Sequence, residues 1–273
     1  MSPVLKRLSF EIVGILFSAL IIIPTLLIIL NSFKNSTEAA NLAFSLPTKW
    51  HIFDNYAKVF EIAQASTAFW NSLIITGSSV ALVLLLCSTS AFIIQRRNDG
   101  FTKAVQALLL SGIVLPLSII TTYVFLYKLH LTSSFLGIIL LYTATMYPIV
   151  TFLYIGFYNS ISRDIDEAAI IDGTSGFGLF FRVIFPLLQP MNATAVILTF
   201  ITVWNDFGIA VYFLNSASKY TLGLTVFFFF GEHSSDWNLV FADLVVVSVP
   251  VIIAYLFLQK YIVSGLTAGA VKS

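Results

Sequence analysis

The chain of 273 residues contains few charged residues and a single cysteine. Charged residues make up 10% of it and apolar residues 58%, and the mean hydropathy is +0.95. A soluble domain carries about 25% charged residues, so this composition indicates an integral membrane protein. The formal net charge is +1, and no basic run supports nucleic-acid binding. Cys87 lies in an apolar segment and has no partner for an internal disulfide, so we expect it to pack as a small hydrophobic residue.

The residues that nucleotide hydrolysis would need are also missing. The sequence contains no Gly-Lys dipeptide and so has no G-x4-G-K-[ST] phosphate-binding loop. His51, His130 and His233 lack metal-ligand spacing, and no nucleophile, base and orienting acid occur together. The sequence therefore predicts a protein that is not an enzyme and has neither a cofactor nor a metal site. A separate subunit must hydrolyse ATP if ATP drives its function.

Long apolar runs predict six membrane-spanning helices and an all-α polytopic fold. The first runs from about Phe10 to Leu30, which is too long for a signal-peptide core, so we expect it to be retained. The other spans are predicted at about 70–94, 104–127, 135–158, 192–214 and 239–260. Their length and lack of alternation exclude barrel strands. Pro24, Pro116, Pro148 and Pro250 fall within spans, where packing and gating are both open as roles.

The basic residues predict the orientation of these spans. Six spans place both termini on one side, and a cytoplasmic location for that side puts nine Lys and Arg residues inside and five outside. We therefore expect a multi-pass protein of the cytoplasmic (inner) membrane, in contact with lipid, with both termini in the cytoplasm. The predicted regions are a first helix with an extracytoplasmic loop, a five-helix domain and a cytoplasmic tail, at residues 1–69, 70–260 and 261–273.

One charged segment, Ser162–Pro190, interrupts the apolar runs and must lie outside the hydrocarbon. Asp164 and Glu167 have the spacing of a capping box, which predicts a short helix that begins at about Ile165. Gly173 suits the left-handed conformation that ends such a helix. A helix of about two turns is marginal alone in water, so we expect it to dock against another surface.

Three stretches carry a resemblance to a known family. Glu167-Ala168-Ala169, then Gly173, then Val183-Ile184-Phe185-Pro186 resemble the E-A-A-x3-G-x9-I-x-L-P loop of ABC importer permeases, with Val183 and Phe185 as departures. Trp204-Asn205-Asp206-Phe207 is similar to the W-N-[DE]-F segment of the carbohydrate-uptake branch, and the tail from Gly265 to Lys272 is similar to the G-L-T-A-G-A-V-K ending of that branch. The chain is identified as a member of the maltose-type permease subunits. An amphipathic connector is the alternative interpretation of the loop.

The resemblance implies the type I importer permease fold and alternating access driven by ATP. Its partners would be a second, non-identical permease, a cytoplasmic ABC ATPase dimer that binds the ATP, an extracytoplasmic sugar-binding protein, and a sugar such as an oligosaccharide. The loop would be the coupling helix that contacts the ATPase. The residues assigned to coupling are Asp164, Glu167, Ala168, Ala169, Asp172 and Gly173.

Polar and aromatic side chains within the spans are candidates for a substrate path. Charge in hydrocarbon is expensive, and a sugar path needs aromatic faces together with hydrogen-bonding groups. The candidates are Trp204, Asn205, Asp206, Tyr123, Tyr147 and Asp243, supplemented by Tyr127, Tyr142, Tyr212, Thr121, Thr122 and Thr145. Trp204, Asn205 and Asp206 are predicted to lie in the middle of the fifth span. For Asp206 and Asp243, a structural hydrogen bond is the alternative role.

Two other classes of function compete with an importer permease. An ion-coupled secondary transporter would use Asp206 and Asp243 as proton or cation sites, but it gives no reason for the charged loop. A purely structural membrane subunit explains neither feature. The sequence leaves open which sugar is carried and which permease half holds it.

Overall fold

The computed structural model describes residues 3–97, 99–230 and 236–270, of which 3–10 and 258–270 are described by their backbone alone. Helices dominate these residues, as predicted. In chain order they are α1 (Pro3–Ser32), α2 (Ser36–Ala40), α3 (Ile52–Ile62), α4 (Ala65–Arg97), α5 (Gly100–Val114), α6 (Ile119–Lys128), α7 (Phe135–Tyr158), α8 (Asp164–Ile171), α9 (Gly176–Gly178), α10 (Phe185–Leu187), α11 (Gln189–Trp204), α12 (Ala210–Phe213) and α13 (Trp237–Ala270). A π-helical turn covers Leu179–Ile184, and two 3-10 segments cover Ala217–Lys219 and Leu222–Phe228.

Four of these helices, α1, α4, α7 and α13, are each long and apolar enough to span a membrane. Two pairs pass the same test together but are bent. The α5 and α6 pair bends by 119°, and Gly176–Leu187 with α11 bends by 77°. Counting each bent pair as one span gives six spans, which is the number predicted from the sequence.

The predicted third span, 104–127, is a pair of helices and not one. α5 ends at Val114, α6 begins at Ile119, and Pro116 lies in the break. Leu115, the residue before this proline, is extended, with φ −76° and ψ 123°. A proline disfavours helical backbone in the residue that precedes it, which explains the interruption. Pro24, Pro148 and Pro250 are instead accommodated inside helices.

By its internal contacts the chain divides into two units, Met1–Phe69 with Leu224–Pro250, and Trp70–Gly223 with Val251–Ser273. The three-part division proposed from the sequence stays a prediction. The core of the second unit draws on α4, α7, α8, α11 and the π-helical turn, and its fully buried members include Val83, Cys87, Tyr154, Tyr158, Ile184 and Leu188. Cys87 is therefore buried, as expected. α5 and α7 approach closely, since a Cβ added at Gly112 would lie 3.2 Å from the Pro148 ring.

The first unit is organised around a buried lysine in the loop that follows α1. Lys34 is 1% exposed, and its Nζ donates to Asn31 Oδ1 at 2.9 Å, to the Ala43 carbonyl at 2.7 Å and to Ser45 Oγ at 3.2 Å. Three acceptors match the three hydrogens of the ammonium group. This lysine therefore fixes the path of the loop between α1 and α3.

Candidate functional site

α8 ends in a Schellman motif formed by the backbone. The Thr174 amide donates to the Ala169 carbonyl at 3.0 Å, and the Gly173 amide donates to the Ile170 carbonyl at 2.9 Å. Gly173 has a φ of +80°, the left-handed conformation that this motif requires and that residues with a Cβ rarely adopt. A Cβ added there would meet no atom within 4 Å. The backbone conformation, and not lack of space, therefore selects glycine, as the sequence predicts.

The beginning of α8 differs from the predicted capping box. Arg163 is the N-cap and already has helical backbone angles, with φ −68° and ψ −22°, and its own side chain forms no capping hydrogen bond. The Asp164 amide is taken by the Ser162 hydroxyl, which also donates to the Asp164 carboxylate at 2.9 Å. Asp164 is thus the first helical residue and not the N-cap, so the predicted capping box of Asp164 and Glu167 was wrong. The first turn contains Asp164, Asp166 and Glu167, whose negative charges suit the positive end of the helix dipole.

The outer face of the loop presents large apolar side chains. Ile171 is 85% exposed and Phe177 is 83% exposed, and Ile170 is also exposed. Glu167 and Ala168 in α8 and its C-cap Asp172 are also exposed, whereas Ala169 is buried against the core. A cavity of about 570 Å³ follows, lined by Asp172, Gly173, Thr174, Ser175, Phe177, Gly178, Phe181, Arg182 and Val183. Apolar side chains in such a charged loop are typical of a surface that another protein covers.

A buried ion pair on the inner face of α8 was missed by the sequence analysis. Arg96, in the last turn of α4, places its Nε 2.5 Å from Asp166 Oδ2, and its Nη2 donates to Oδ1 at 3.1 Å. In the sequence, Arg96 is one of the nine basic residues assigned to the cytoplasmic side, and Asp166 is one of the charged residues of the segment Ser162–Pro190. The sole available signal was a basic residue ending a span and an acid in the charged loop, which does not identify them as partners.

The junction after α11 corrects the predicted fifth span. α11 ends at Trp204 with Asn205 as its C-cap, so these residues and Asp206 lie at a helix end and not at mid-span. Asp206 Oδ2 accepts the amides of Ile209 at 2.9 Å and Ala210 at 3.0 Å, and also the Tyr142 hydroxyl at 2.7 Å. A carboxylate that binds backbone amides begins a new helical turn, which interrupts the span. Asp206 therefore has the structural hydrogen bonds that were the alternative to a place in the substrate path.

The remaining members of the W-N-D-F segment differ in exposure. Trp204 is 6% exposed, and its indole stacks on the Phe200 ring at 5.3 Å between centroids. Asn205 is exposed and Phe207 is 42% exposed. Of the three candidates at this junction, Asn205 is exposed, Asp206 is partly exposed and Trp204 is buried.

Tyr123 lines a groove in the second unit. The groove has a volume of about 780 Å³ and is formed where the α5–α6 break faces α12, by Leu117, Ser118, Ile119, Ile120, Tyr123, Val124, Val211, Tyr212 and Asn215. Asn215 Nδ2 donates to the Tyr123 hydroxyl at 3.3 Å, and the Tyr123 ring packs on Phe213. Non-helical backbone inside a membrane is tolerated where it is buried in protein or lines a water-filled cavity, which fits the break beside this groove.

The structure does not collect all the predicted path residues in one place. Tyr147 does not line the groove, and its hydroxyl donates to Ser90 Oγ on α4 at 2.6 Å. In the first unit Asp243 is fully buried, and both of its carboxylate oxygens lie 2.9 Å from the Thr225 hydroxyl. Within the described ranges, no group of three or more His, Cys, Asp or Glu could hold a metal ion. His233 and residues 271–273 of the predicted tail lie outside the described residues.

Comparison with known proteins identifies the family. Residues 4–268 match the model of the family described as "Binding-protein-dependent transport system inner membrane component". The chain belongs to this family. The resemblance seen in the coupling loop is thus confirmed for the chain as a whole, and the comparisons give no support to an ion-coupled secondary transporter.

Curated members of the family resemble the chain over most of its length. The melibiose/raffinose/stachyose import permease protein MelC of Bacillus subtilis (strain 168) is 36% identical over 225 residues, 81% of each chain. The probable starch degradation products transport system permease protein AmyC of Thermoanaerobacterium thermosulfurigenes is 34% identical over 270 residues, 98% of this chain and 97% of that protein.

A solved structure confirms the predicted fold. It is a bacterial ABC transporter involved in the import of the acidic polysaccharide alginate, and one of its chains has a TM-score of 0.83 to this chain at 21% identity. The match covers 96% of this chain and 98% of that chain. At this identity the likeness shows the fold alone, and it assigns no substrate.

Proposed function

We propose that this chain is a transmembrane permease subunit of an ABC importer that moves a sugar, such as an oligosaccharide, across the cytoplasmic membrane. The observation that carries the proposal is the geometry of α8 in a chain of this family. A short helix with a Schellman end presents Ile170 and Ile171, and Phe177 is exposed in the segment that follows it. These side chains suit a cleft on a partner protein, and the helix gains the docking that its short length needs.

The proposed partner at this surface is a cytoplasmic ATPase dimer, which binds and hydrolyses the ATP. The distribution of basic residues supports a cytoplasmic location for α8 and for both termini. The complete transporter would contain a second, non-identical permease and an extracytoplasmic sugar-binding protein. In this scheme, closure of the ATPases displaces α8, and the helices alternate between outward and inward access.

We further propose that the substrate path includes the groove beside Tyr123 and the exposed Asn205. Sugar C–H faces pack on aromatic rings, and hydroxyl groups accept and donate hydrogen bonds to amide and hydroxyl side chains. Tyr123, Tyr212, Ser118 and Asn215 supply both kinds of group along the groove. Trp204 was predicted to line the path, and we propose that its buried ring instead positions Asn205 there.

The function is tested by purifying the complex through a tag on this chain and reconstituting it in vesicles with its binding protein. We expect an ATPase to copurify with this chain. Sugar uptake should require both ATP and the binding protein, and vanadate should inhibit it. A panel should include melibiose, raffinose, stachyose and malto-oligosaccharides, since these are the chemistries named for the relatives. Uptake driven by an ion gradient without ATP would overturn the proposal.

The groove is tested separately by Tyr123→Ala in the same vesicles. We expect uptake at low sugar concentration to fall about fivefold, because a lost aromatic contact is worth about 1 kcal/mol. Tyr127→Ala is the matched control, since Tyr127 lies on the same helix, is 65% exposed and does not line the groove. Equal uptake by the two variants would remove the groove from the path.

A further inference from the structure

α8 is fastened to the end of a helix that lies far from it in the sequence. Asp166 is 8% exposed, and the Arg96 guanidinium contacts both of its carboxylate oxygens, at 2.5 Å and 3.1 Å. The side chain of Arg96 is 14% exposed in this arrangement. Arg96 also lies over the ring of Tyr158, the last residue of α7, at 5.9 Å from the centroid. One charge-assisted hydrogen bond and a second close ion contact therefore restrain α8 against the end of α4.

Three further contacts join α4 to α8, to the link before α8 and to α7. Arg163, the N-cap of α8, donates from Nη2 to the Gln95 carbonyl at 3.1 Å, so it satisfies one of the free carbonyls at the α4 end. The Gln95 side chain donates to Asn159, in the link between α7 and α8. The Tyr158 hydroxyl donates to the Ser88 carbonyl of α4 at 3.3 Å. The N-terminal half of α8 is thus held by α4, while its C-terminal half carries the exposed Ile170 and Ile171.

Stability alone is a weak reason for this pair. Removing two charges from water offsets much of their attraction, so buried ion pairs often contribute little net stability and are better explained by the geometry that they specify. The covalent neighbours of α8 are short links to α7 and α9, and Gly173 begins the second of them. Without the pair, α8 would contact the rest of the second unit through those links, the Arg163–Gln95 hydrogen bond and the small buried side chain of Ala169.

We infer that the Arg96–Asp166 pair transmits displacement of α8, the proposed coupling helix, directly to α4, in addition to its covalent neighbours α7 and α9. The inference rests on the proposed function, because it presumes that a partner displaces α8. Arg96 and Asp166 are positioning residues in this scheme, since they act through α8 and touch no solute. Their loss should leave ATP hydrolysis in place and weaken its connection to transport.

The test uses the complete complex in vesicles, with Arg96→Gln and Asp166→Asn as the variants. We expect each to assemble, to keep basal ATPase activity and to transport about tenfold less sugar per ATP hydrolysed, within the usual range of a coupling free energy. The charge exchange Arg96→Asp with Asp166→Arg should restore much of this ratio. Arg97→Gln is the matched control, because the adjacent Arg97 forms an exposed ion pair with Asp99.

The outcomes separate this inference from the proposed function. Failure of the wild-type complex to transport any sugar with ATP would overturn the proposed function itself. Normal wild-type transport with an unchanged ratio in Arg96→Gln would overturn the inference alone. If the single variants do not assemble, the charge exchange decides: an assembled exchange variant with a near wild-type ratio supports the pair, and one with a low ratio overturns it.

Discussion

Two helix ends in the second unit, those of α8 and α11, are built in opposite ways. α8 ends through backbone hydrogen bonds alone, around Gly173 in a left-handed conformation, and leaves apolar side chains exposed beyond it. α11 ends at Trp204, and a side chain, the Asp206 carboxylate, binds the amides that begin α12. That carboxylate is held in turn by Tyr142 of α7.

The difference concerns how far each end depends on the rest of the molecule. The α8 end depends on one residue type at one position, so it can form wherever the helix is docked. The junction between α11 and α12 includes the hydrogen bond of Tyr142 to Asp206, residues 64 apart in sequence, and this bond forms only in the packed structure. We therefore expect changes at Gly173 to act locally on function, and changes at Asp206 to act on the stability of the whole unit.

The largest expected effect on stability is that of Asp206→Ala. It leaves two backbone amides and the buried Tyr142 hydroxyl without their acceptor, which should cost about 2 kcal/mol and lower the melting temperature by about 5 °C. Thermal unfolding of the complex in detergent measures this. Asp206→Asn keeps an acceptor oxygen, so its melting temperature should lie between those of the wild type and Asp206→Ala. A melting temperature that Asp206→Ala leaves unchanged would contradict the structural role of this carboxylate.

The second effect is that of Gly173→Val, which forces a β-branched residue into a left-handed backbone at a cost of about 1–2 kcal/mol. The strain falls on the helix end alone, so we expect sugar uptake per ATP to fall about tenfold with the melting temperature unchanged. Gly176→Val is the control, since Gly176 lies in the same loop, has equally open surroundings and has no positive φ. Wild-type uptake by Gly173→Val would show that the Schellman end is dispensable.

A smaller loss of stability is expected for Tyr142→Phe than for Asp206→Ala. Tyr142→Phe removes one hydrogen bond but leaves the amides of Ile209 and Ala210 bound to the carboxylate, so we expect a loss of about 1 kcal/mol. In the double variant with Asp206→Ala, the loss should be smaller than the sum of the two single losses. Additive losses, measured by the same thermal unfolding, would mean that the two residues act independently.

The smallest effect concerns a third helix end, the start of α5. The Asp99 carboxylate accepts a hydrogen bond from the Thr102 amide, and this bond is the main reason that the pKa of Asp99 is lowered. Asp99 also forms an ion pair with Arg97. A lowered pKa stabilises the folded form above the ordinary value of about 4, and this contribution is lost as the pH falls through the folded pKa. Protection of the amides in the first turn of α5, measured as exchange relative to the intrinsic rate at each pH, should therefore fall below about pH 4. Asp99→Asn should abolish this acid-dependent loss of protection.

Periodicity and local chemistry made several features of this fold predictable. The apolar runs located the spans, and Gly173 located the end of α8, because both depend on residues close in sequence. The sequence failed where a distant residue decides the local structure. The break after Trp204 depends on Asp206 and its partner on α7, and the orientation of Asp166 depends on Arg96 on α4. The capping box failed at closer range, because the Ser162 hydroxyl competes for the Asp164 amide.

The exposed side chains at the end of α8 also affect the fate of a subunit that has not been assembled. Ile171 and Phe177 are more than 80% exposed in the chain by itself, and only a bound partner would cover them. A newly made copy without its partner would present this patch to chaperones and proteases. We therefore expect the cellular lifetime of the chain to depend on the supply of the protein that covers the patch, so that the same few side chains set both coupling and subunit stoichiometry.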